Sequence, residues 1–365
     1  MNAKRIQIIQ AKEGMVVAED IYTNRNELIL NCNTVLTNTI LNRLKQYGIF
    51  HFSVYEPEVE DENIEETKEN TAEVVFHKES IRKTEEFQSF KKEFDKTVQG
   101  LRKSFGRILD NDVNDGIAEM AKQVEYIIGS GHSTLHVMDM LNCMREYDDV
   151  TFAHSISVSV LCNLIGEWLQ LKPADLKVLI LSGLLHDIGK LQVSNEIISK
   201  PGKLTSEEFK AIQEHPKFGF EILKDRDLDP RIKHAALMHH ERCDGTGYPG
   251  KVSSSGIEYF SKIVSVADVY DAMTADRSYR KGMCPFEVLE IMKADGYLKY
   301  DPAILMMFME KTVQSYINAT VQLSDGRIGE IISIAKDDIT RPLIRIGTDF
   351  ADLKKEKGIT ITKIL

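Results

Sequence analysis

Cysteine is scarce in this 365-residue chain, and no Cys-x-x-Cys occurs. The five cysteines, at 32, 143, 162, 243 and 284, are odd in number and widely spaced. That pattern argues against a disulfide framework and a thiolate zinc site, and it fits a reducing cytoplasm. Basic charge is in deficit, 46 Lys and Arg against 56 Asp and Glu, for a net charge of −10. A general nucleic-acid binder needs a basic stripe, so DNA is not an expected partner. No apolar run approaches the roughly 20 residues that span a bilayer. Met1 to Arg5 lead into an alternating pattern rather than an apolar h-region, so no signal peptide is expected and the location expected is cytoplasmic. A chain of this length holds about two to three domains.

Histidine is where the composition is uneven. Six of the ten histidines, His154, His186, His215, His234, His239 and His240, fall in one quarter of the chain. At its centre an apolar run, Leu179 to Leu185, ends on His186-Asp187, with Gly189 in the position of a helix stop. A His-Asp pair alone fits a surface helix cap as well as a metal site. The surroundings favour the second reading. A single His upstream, two His regions downstream and Asp268 complete a set of imidazole and carboxylate ligands of the kind Zn, Mn and Fe use. Each falls on a separate predicted helix or helix end, which is how helical folds build metal sites.

Taken in order, residues 1–55 alternate β-like runs (6–9, 15–18, 27–30, 49–55) with one short helix over 38–47. This is a small α+β module without catalytic residues. Residues 56–72 form an acidic linker: eight Asp or Glu stand against one Lys between Glu56 and Asn70. Residues 73–149 form a helical connector. Its apolar positions Phe87, Phe90, Phe94, Val98, Leu101, Phe105 and Ile108 are spaced 3, 4, 4, 3, 4 and 3 apart. That period fits a homodimeric coiled coil around 87–108 and a helix packed inside one chain alike. Helices are expected over 117–128, 135–145, 151–169 and 176–187. A capping box at Thr205-Ser206-Glu207-Glu208 opens the helix expected to carry His215. Asp229-Pro230 opens the helix ending at His239-His240. A Gly- and Pro-rich loop from Glu241 to Gly250 precedes a helix over 257–275, which places Asp268 and Asp271 on one face. Asp301-Pro302 starts the last helix. Residues 318–365 read as a β-rich tail, with strands at 320–323, 328–334, 343–346 and 359–364. The fold expected is mainly α, with the helical core at 150–317.

Read together, the segments from Val150 to Lys311 resemble the HD-GYP family of cyclic-dinucleotide phosphodiesterases. The resemblance rests on His186-Asp187-Ile188-Gly189-Lys190 and on His215-Pro216 with Gly219. It rests further on His239-His240-Glu241 with Asp244-Gly245-Thr246-Gly247-Tyr248-Pro249. Ala267 to Met273 followed by Arg277, Tyr279 and Arg280 complete it. It implies an HD-type helical core with two divalent metal ions, iron or manganese. His154, His186, Asp187 and Asp268 would hold one ion; His215, His239 and His240 would hold the other, with Asp187 bridging. Family members with a third ion carry Glu where Val150 stands here, so two ions are expected, with Asp148 and Asp149 nearby. Ser278 also departs from the family, which commonly has Pro there.

The implied reaction is hydrolysis of cyclic di-GMP to linear pGpG, or onward to GMP, by a metal-bridging hydroxide. Asp187 and Lys190 would be catalytic, and Lys190, Arg277, Tyr279 and Arg280 would bind substrate. Asp271 reads as orienting a ligand His or as a surface acid, and Glu241 as orienting or solvated. The loop at Gly247, Tyr248 and Pro249 reads as the substrate entrance or as a docking point for a protein such as a diguanylate cyclase. His234 reads as an ordinary helix residue. A cyclic GMP-AMP phosphodiesterase and a non-catalytic dinucleotide sensor are the alternatives; an oxygen-activating diiron centre is disfavoured by the intact Gly-Tyr-Pro segment.

Overall fold

The computed structural model describes residues 81–109, 114–131, 133–144, 150–198, 200, 202–276, 281–335 and 337–365, with a discontinuous set between 3 and 55. The chain divides into two compact units, Met1–Glu73 and Val74–Leu365.

In the first unit, β1 (Ala3–Gln7) pairs antiparallel with β4 (His51–Tyr55), and β2 (Ile21–Tyr22) pairs with β3 (Leu28–Leu30). Ile6, Ile8, Val17, Leu36, Leu44, Phe52 and Val54 form its core. The strand expected over 15–18 reduces to a bridge between Val17 and Val54. Most of the helix expected over 38–47 lies outside the described residues.

The second unit opens with α1 (Glu85–Leu109), α2 (Asn114–Gly129) and α3 (Thr134–Cys143). The heptad face of α1 settles its ambiguous period. Phe87, Phe90, Phe94, Val98, Leu101 and Phe105 are all buried within one chain, in the same cluster as the helical core. The structure thus uses this face as core rather than leaving it for the coiled-coil dimer considered from sequence.

At the centre, α4 (Val150–Trp168) packs on α5 (Pro173–Leu185). Small residues let them approach. A Cβ on Gly183 would lie 2.8 Å from the Cα of Ser159, and the Ser159 hydroxyl donates to the Ile180 carbonyl at 2.7 Å. Such closeness brings His154 and His186 into edge contact, with ring centroids 5.3 Å apart.

The helix ends at Leu185, before the His-Asp pair, and Ile188–Gln192 follow as a 3-10 turn. Gly189 therefore does not stop a helix as expected. It lies inside that turn, where a Cβ would fall 1.9 Å from the His215 carbonyl oxygen and 2.4 Å from the Gly219 nitrogen. Glycine is required there because two backbones touch.

A short α6 (Asn195–Ile198) leads to α7 (Ser206–Ile212), which begins with the expected capping box, Thr205 with Glu208. However, α7 stops before His215, which opens a separate helix, α8 (His215–Leu223), with Pro216 in its first turn. Next, α9 (Pro230–Met238) is capped by Asp229, whose side chain accepts from the Arg231 amide. The Arg231 guanidinium also reaches Asp175 of α5 at 2.7 Å and lies 4.5 Å over the Phe260 ring. One side chain thus ties the start of α9 to α5 and to α10 (Tyr259–Thr274).

The unit closes with α11 (Pro285–Lys299), α12 (Pro302–Gln314, capped by Asp301) and a five-stranded antiparallel sheet. The strands are β5 (Thr320–Leu323), β6 (Ile328–Ala335), β7 (Asp338–Ile346), β8 (Asp349–Asp352) and β9 (Ile361–Ile364), in the order β8-β7-β6-β5-β9. β8 was not expected from sequence; its pattern, Asp-Phe-Ala-Asp, buries only Ala351 fully. The inner face of the sheet shares the core of the helices through Val321, Leu323, Ile331, Ile344 and Ile361. Among the described residues, no helix is long and apolar enough to cross a membrane.

Candidate metal centre

Five imidazoles and two carboxylates meet where α4, α5, α8, α9 and α10 converge. His154 comes from α4, His186 from the end of α5 and Asp187 from the turn after it. His215 opens α8, His239 and His240 follow α9, and Asp268 comes from α10. His154, His186, Asp187, His215, His239 and Asp268 are buried.

Asp187 sits between two groups of donors. Its Oδ2 is 3.3 Å from His186 Nε2 and 3.7 Å from His154 Nε2. The opposite oxygen, Oδ1, is 3.2 Å from His215 Nε2 and 3.7 Å from His239 Nε2. Two donor sets result, His154-His186-Asp187 and Asp187-His215-His239-His240, each with ligand atoms within 4.8 Å of one another. Asp268 spans both as well. Its Oδ1 lies 3.0 Å from His154 Nε2, and its Oδ2 lies 3.8 Å from His240 Nδ1.

The backbone decides which ring nitrogen faces inward. His186 Nδ1 lies 2.7 Å from the Gly183 carbonyl, His215 Nδ1 2.6 Å from that of Ile212, and His239 Nδ1 3.0 Å from that of Ala235. A carbonyl can only accept, so each Nδ1 carries a proton and Nε2 is the ring atom turned inward, free to offer its lone pair to a cation. His215 and His239 then oppose two Nε2 atoms at 3.2 Å. His186 Nε2 and Asp187 Oδ1 are fully buried without a hydrogen-bond partner. Buried lone pairs and a carboxylate oxygen facing one another repel unless a cation lies among them. The donors therefore fit divalent metal ions.

Electrostatics agree with that fit. Burial, with the neighbouring imidazoles His240, His186 and His215, holds His239 well below the usual histidine range. Burial likewise pushes His240 down to about 3. Asp187 is held well below the carboxylate range: burial opposes ionisation, but His186 and Lys190 outweigh it. These are the protonation states a metal demands. His154 goes the other way. Burial disfavours its charged form, but hydrogen bonds to Asp268 and Asp271 raise it to about 9.

Around this cluster, Asp271 is buried and its Oδ2 lies 2.7 Å from His154 Nδ1, so it orients a ring rather than facing solvent. Lys190 contacts Asp187 Oδ2 with its side chain one-quarter exposed. Glu241 is neither solvated nor directed at the cluster: it is buried, and its carboxylate accepts the Gly250 and Val252 amides. Tyr248 stacks on His240, and the Tyr248-Pro249 peptide is cis. Gly247 is pressed against the His240 carbonyl, where a Cβ would lie 2.5 Å away. His234 stays out of the cluster and stacks parallel to Phe220. Arg277, Ser278, Tyr279 and Arg280 lie outside the described residues, as do Asp148 and Asp149. Sequence reasoning missed Arg242, which bonds Ser265 of α10 and lies 5.1 Å over the Tyr300 ring, anchoring the loop after His240. Nothing in its sequence neighbourhood marks those two distant partners.

Comparison with known proteins gives a consistent picture. Residues 137–304 match the HD domain family. A cyclic di-GMP phosphodiesterase of Pseudomonas aeruginosa is 34% identical over 204 residues, covering 56% of this chain and 49% of that protein. A 3'3'-cGAMP-specific phosphodiesterase of Vibrio cholerae is 40% identical over 152 residues, covering 42% of this chain and 33% of that protein. The chain thus spans about half the length of these relatives, or less. Among solved structures, the HDG"Y"P protein Bd1817 of Bdellovibrio bacteriovorus shares the fold. Its TM-score is 0.52 at 14% identity, over 84% of this chain and 98% of that one.

Proposed function

We propose, from the match to the HD domain family over residues 137–304 and the resemblance of its motif segments to HD-GYP phosphodiesterases, that the protein hydrolyses the 3'-5' phosphodiester bonds of cyclic di-GMP. The observation that carries this reading is Asp187, whose two oxygens face two separate histidine groups. Residues 150–317 are the catalytic domain on this reading. His154, His186, Asp187 and Asp268 hold one divalent ion, iron or manganese; Asp187, His215, His239 and His240 hold the other.

When bound, the ions supply an activated water and polarise the phosphoryl oxygens. The chain's own residues prepare that chemistry. The Gly183, Ile212 and Ala235 carbonyls hold protons on Nδ1 of His186, His215 and His239, keeping the Nε2 lone pairs inward. Asp271 keeps the proton on His154 Nδ1, leaving Nε2 for the ion. Lys190 presents an ammonium at the rim for a non-bridging phosphate oxygen. Arg277, Tyr279 and Arg280 are proposed to hold the guanine or the second phosphate.

A second reading, cyclic GMP-AMP as substrate, is favoured by the more identical of the two relatives. A sensor without turnover is the weaker alternative, because every expected ligand is present. The test incubates metal-loaded protein, prepared without oxygen, with each dinucleotide and separates the products by chromatography. Turnover of cyclic di-GMP to pGpG or GMP by the wild type, lost in Asp187→Ala, is expected. Preferential turnover of cyclic GMP-AMP would transfer the assignment to that substrate. Binding of either without cleavage would leave the sensor.

A further inference from the structure

Of the five imidazoles, His240 is held differently. A carbonyl fixes the ring of His186, His215 and His239, and Asp271 fixes His154. Among the described hydrogen bonds, none reaches the His240 ring, and Asp268 Oδ2 is 3.8 Å from its Nδ1. Its side chain is also 19% exposed, while that of His239 is fully covered. The rings of His239 and His215 touch it from inside the cluster, at 4.1 and 5.1 Å between centroids, and from the loop Tyr248 stacks on it at 4.6 Å with 28° between planes.

The loop is built to keep Tyr248 there. The Tyr248 amide donates to the His240 carbonyl at 3.2 Å. Gly247 packs so tightly that a Cβ would lie 2.4 Å from the Arg242 nitrogen and 2.5 Å from the Glu241 Cα. Glu241, next to His240 in the chain, draws the far side of the loop back: its two oxygens accept Gly250 N–H at 2.5 Å and Val252 N–H at 3.1 Å. A buried carboxylate with two charge-assisted bonds closes the loop over the ring beside it.

We infer that Tyr248, stapled in place by Glu241, is a positioning residue for His240, and that this stack replaces the hydrogen bond that orients the other imidazoles. The inference rests on the two-ion reading of the site. It assigns the Gly-Tyr-Pro loop a task inside the metal centre: setting the affinity of the ion shared by His215, His239 and His240. Partners that orient ligating histidines contribute about 10- to 100-fold in metal affinity.

The test strips the 365-residue chain with chelator and titrates it with Mn2+. Calorimetry gives stoichiometry and affinities, and electron paramagnetic resonance separates a lone Mn2+ from a spin-coupled pair. Wild type and Tyr248→Phe, which keeps the stacking ring, should each bind two ions and give the coupled signal. Tyr248→Leu should keep one ion at wild-type affinity and bind the other about 10- to 100-fold more weakly, with the coupled signal lost at concentrations that saturate wild type. Glu241→Gln, which leaves one carbonyl acceptor, should shift the same ion in the same direction. Thermal melting identifies any variant that fails to fold, and the other variant then decides. A folded Tyr248→Leu or Glu241→Gln that binds both ions as wild type does overturns the positioning role. A wild type that never takes up a second ion overturns the two-ion centre itself and the inference with it.

Discussion

At the scale of single residues, protons set the terms on which a metal enters. His154 is raised to about 9, so the metal-free cluster holds it charged at neutral pH between Asp268 and Asp271. A cation binding at Nε2 must expel that proton. Metal uptake near pH 7 should therefore release close to one proton from this ring, with release fading as pH rises through about 9. Calorimetric titrations in buffers of different ionisation heat would measure it; release undiminished above that pH would refute the assignment. The same shift has a sign for stability. Because the folded value lies above the ordinary 6.5, the charged ring stabilises the metal-free fold fully below pH 6.5, and the contribution is lost as pH rises through about 9.

Residue identity was the most legible part of the site. His154, His186, Asp187, His215, His239, His240 and Asp268 stand out in sequence because few residue types suit a metal, and the structure brings these seven side chains together. Partners that are backbone groups leave no such trace. The amides that occupy Glu241 and the carbonyls that fix three rings belong to residues of any type. Their roles therefore appear only in three dimensions.

Between elements, the decisive contact is the 3-10 turn against α8. Gly189 is the residue through which Asp187 is brought up to His215, and the available space is below any side chain. Gly189→Ala should push the turn away from α8 and separate the two ligand sets. The expected cost is about 1–3 kcal/mol of stability, in the range for overpacking, with weakened binding of the second ion. Denaturant melts and Mn2+ titration would measure both; a variant unchanged in each would show that the backbones can part freely. Sequence pattern misassigned this glycine because a helix stop and a backbone crossing select the same residue. The α1 period was ambiguous for a similar reason: Phe87, Phe90 and Phe94 recur as they would in a coiled coil or against a core. The break between α7 and α8 was hidden because Gln213 and Glu214 are ordinary helix formers.

For the whole molecule, the terminal sheet is a wall of the core rather than an appendage. Val321, Leu323, Ile331, Ile344 and Ile361 pack in one cluster with the helices, and Lys293 of α11 pairs with Asp338 of β7. A chain ending at residue 317 should lose cooperative thermal melting. A chain of residues 74–365 should melt cooperatively and bind two metal ions, since it is a compact unit in its own right. Circular dichroism melts and metal quantitation on the two truncations would test this; a cooperative melt without the sheet would contradict it.

The spread of the ligands along the chain, from His154 to Asp268, also bears on time. No two neighbouring segments can assemble the centre by themselves, so it is complete only after distant helices have docked, a late event when long loops must close. An ion that arrives last is absent from the rate-limiting step of folding and must leave before the helices can part. Adding a chelator should therefore accelerate unfolding and leave the refolding rate nearly unchanged, which stopped-flow kinetics with and without Mn2+ would reveal. On this view the metal acts as a latch on the folded state: it sets how long the protein lasts, not how quickly it forms.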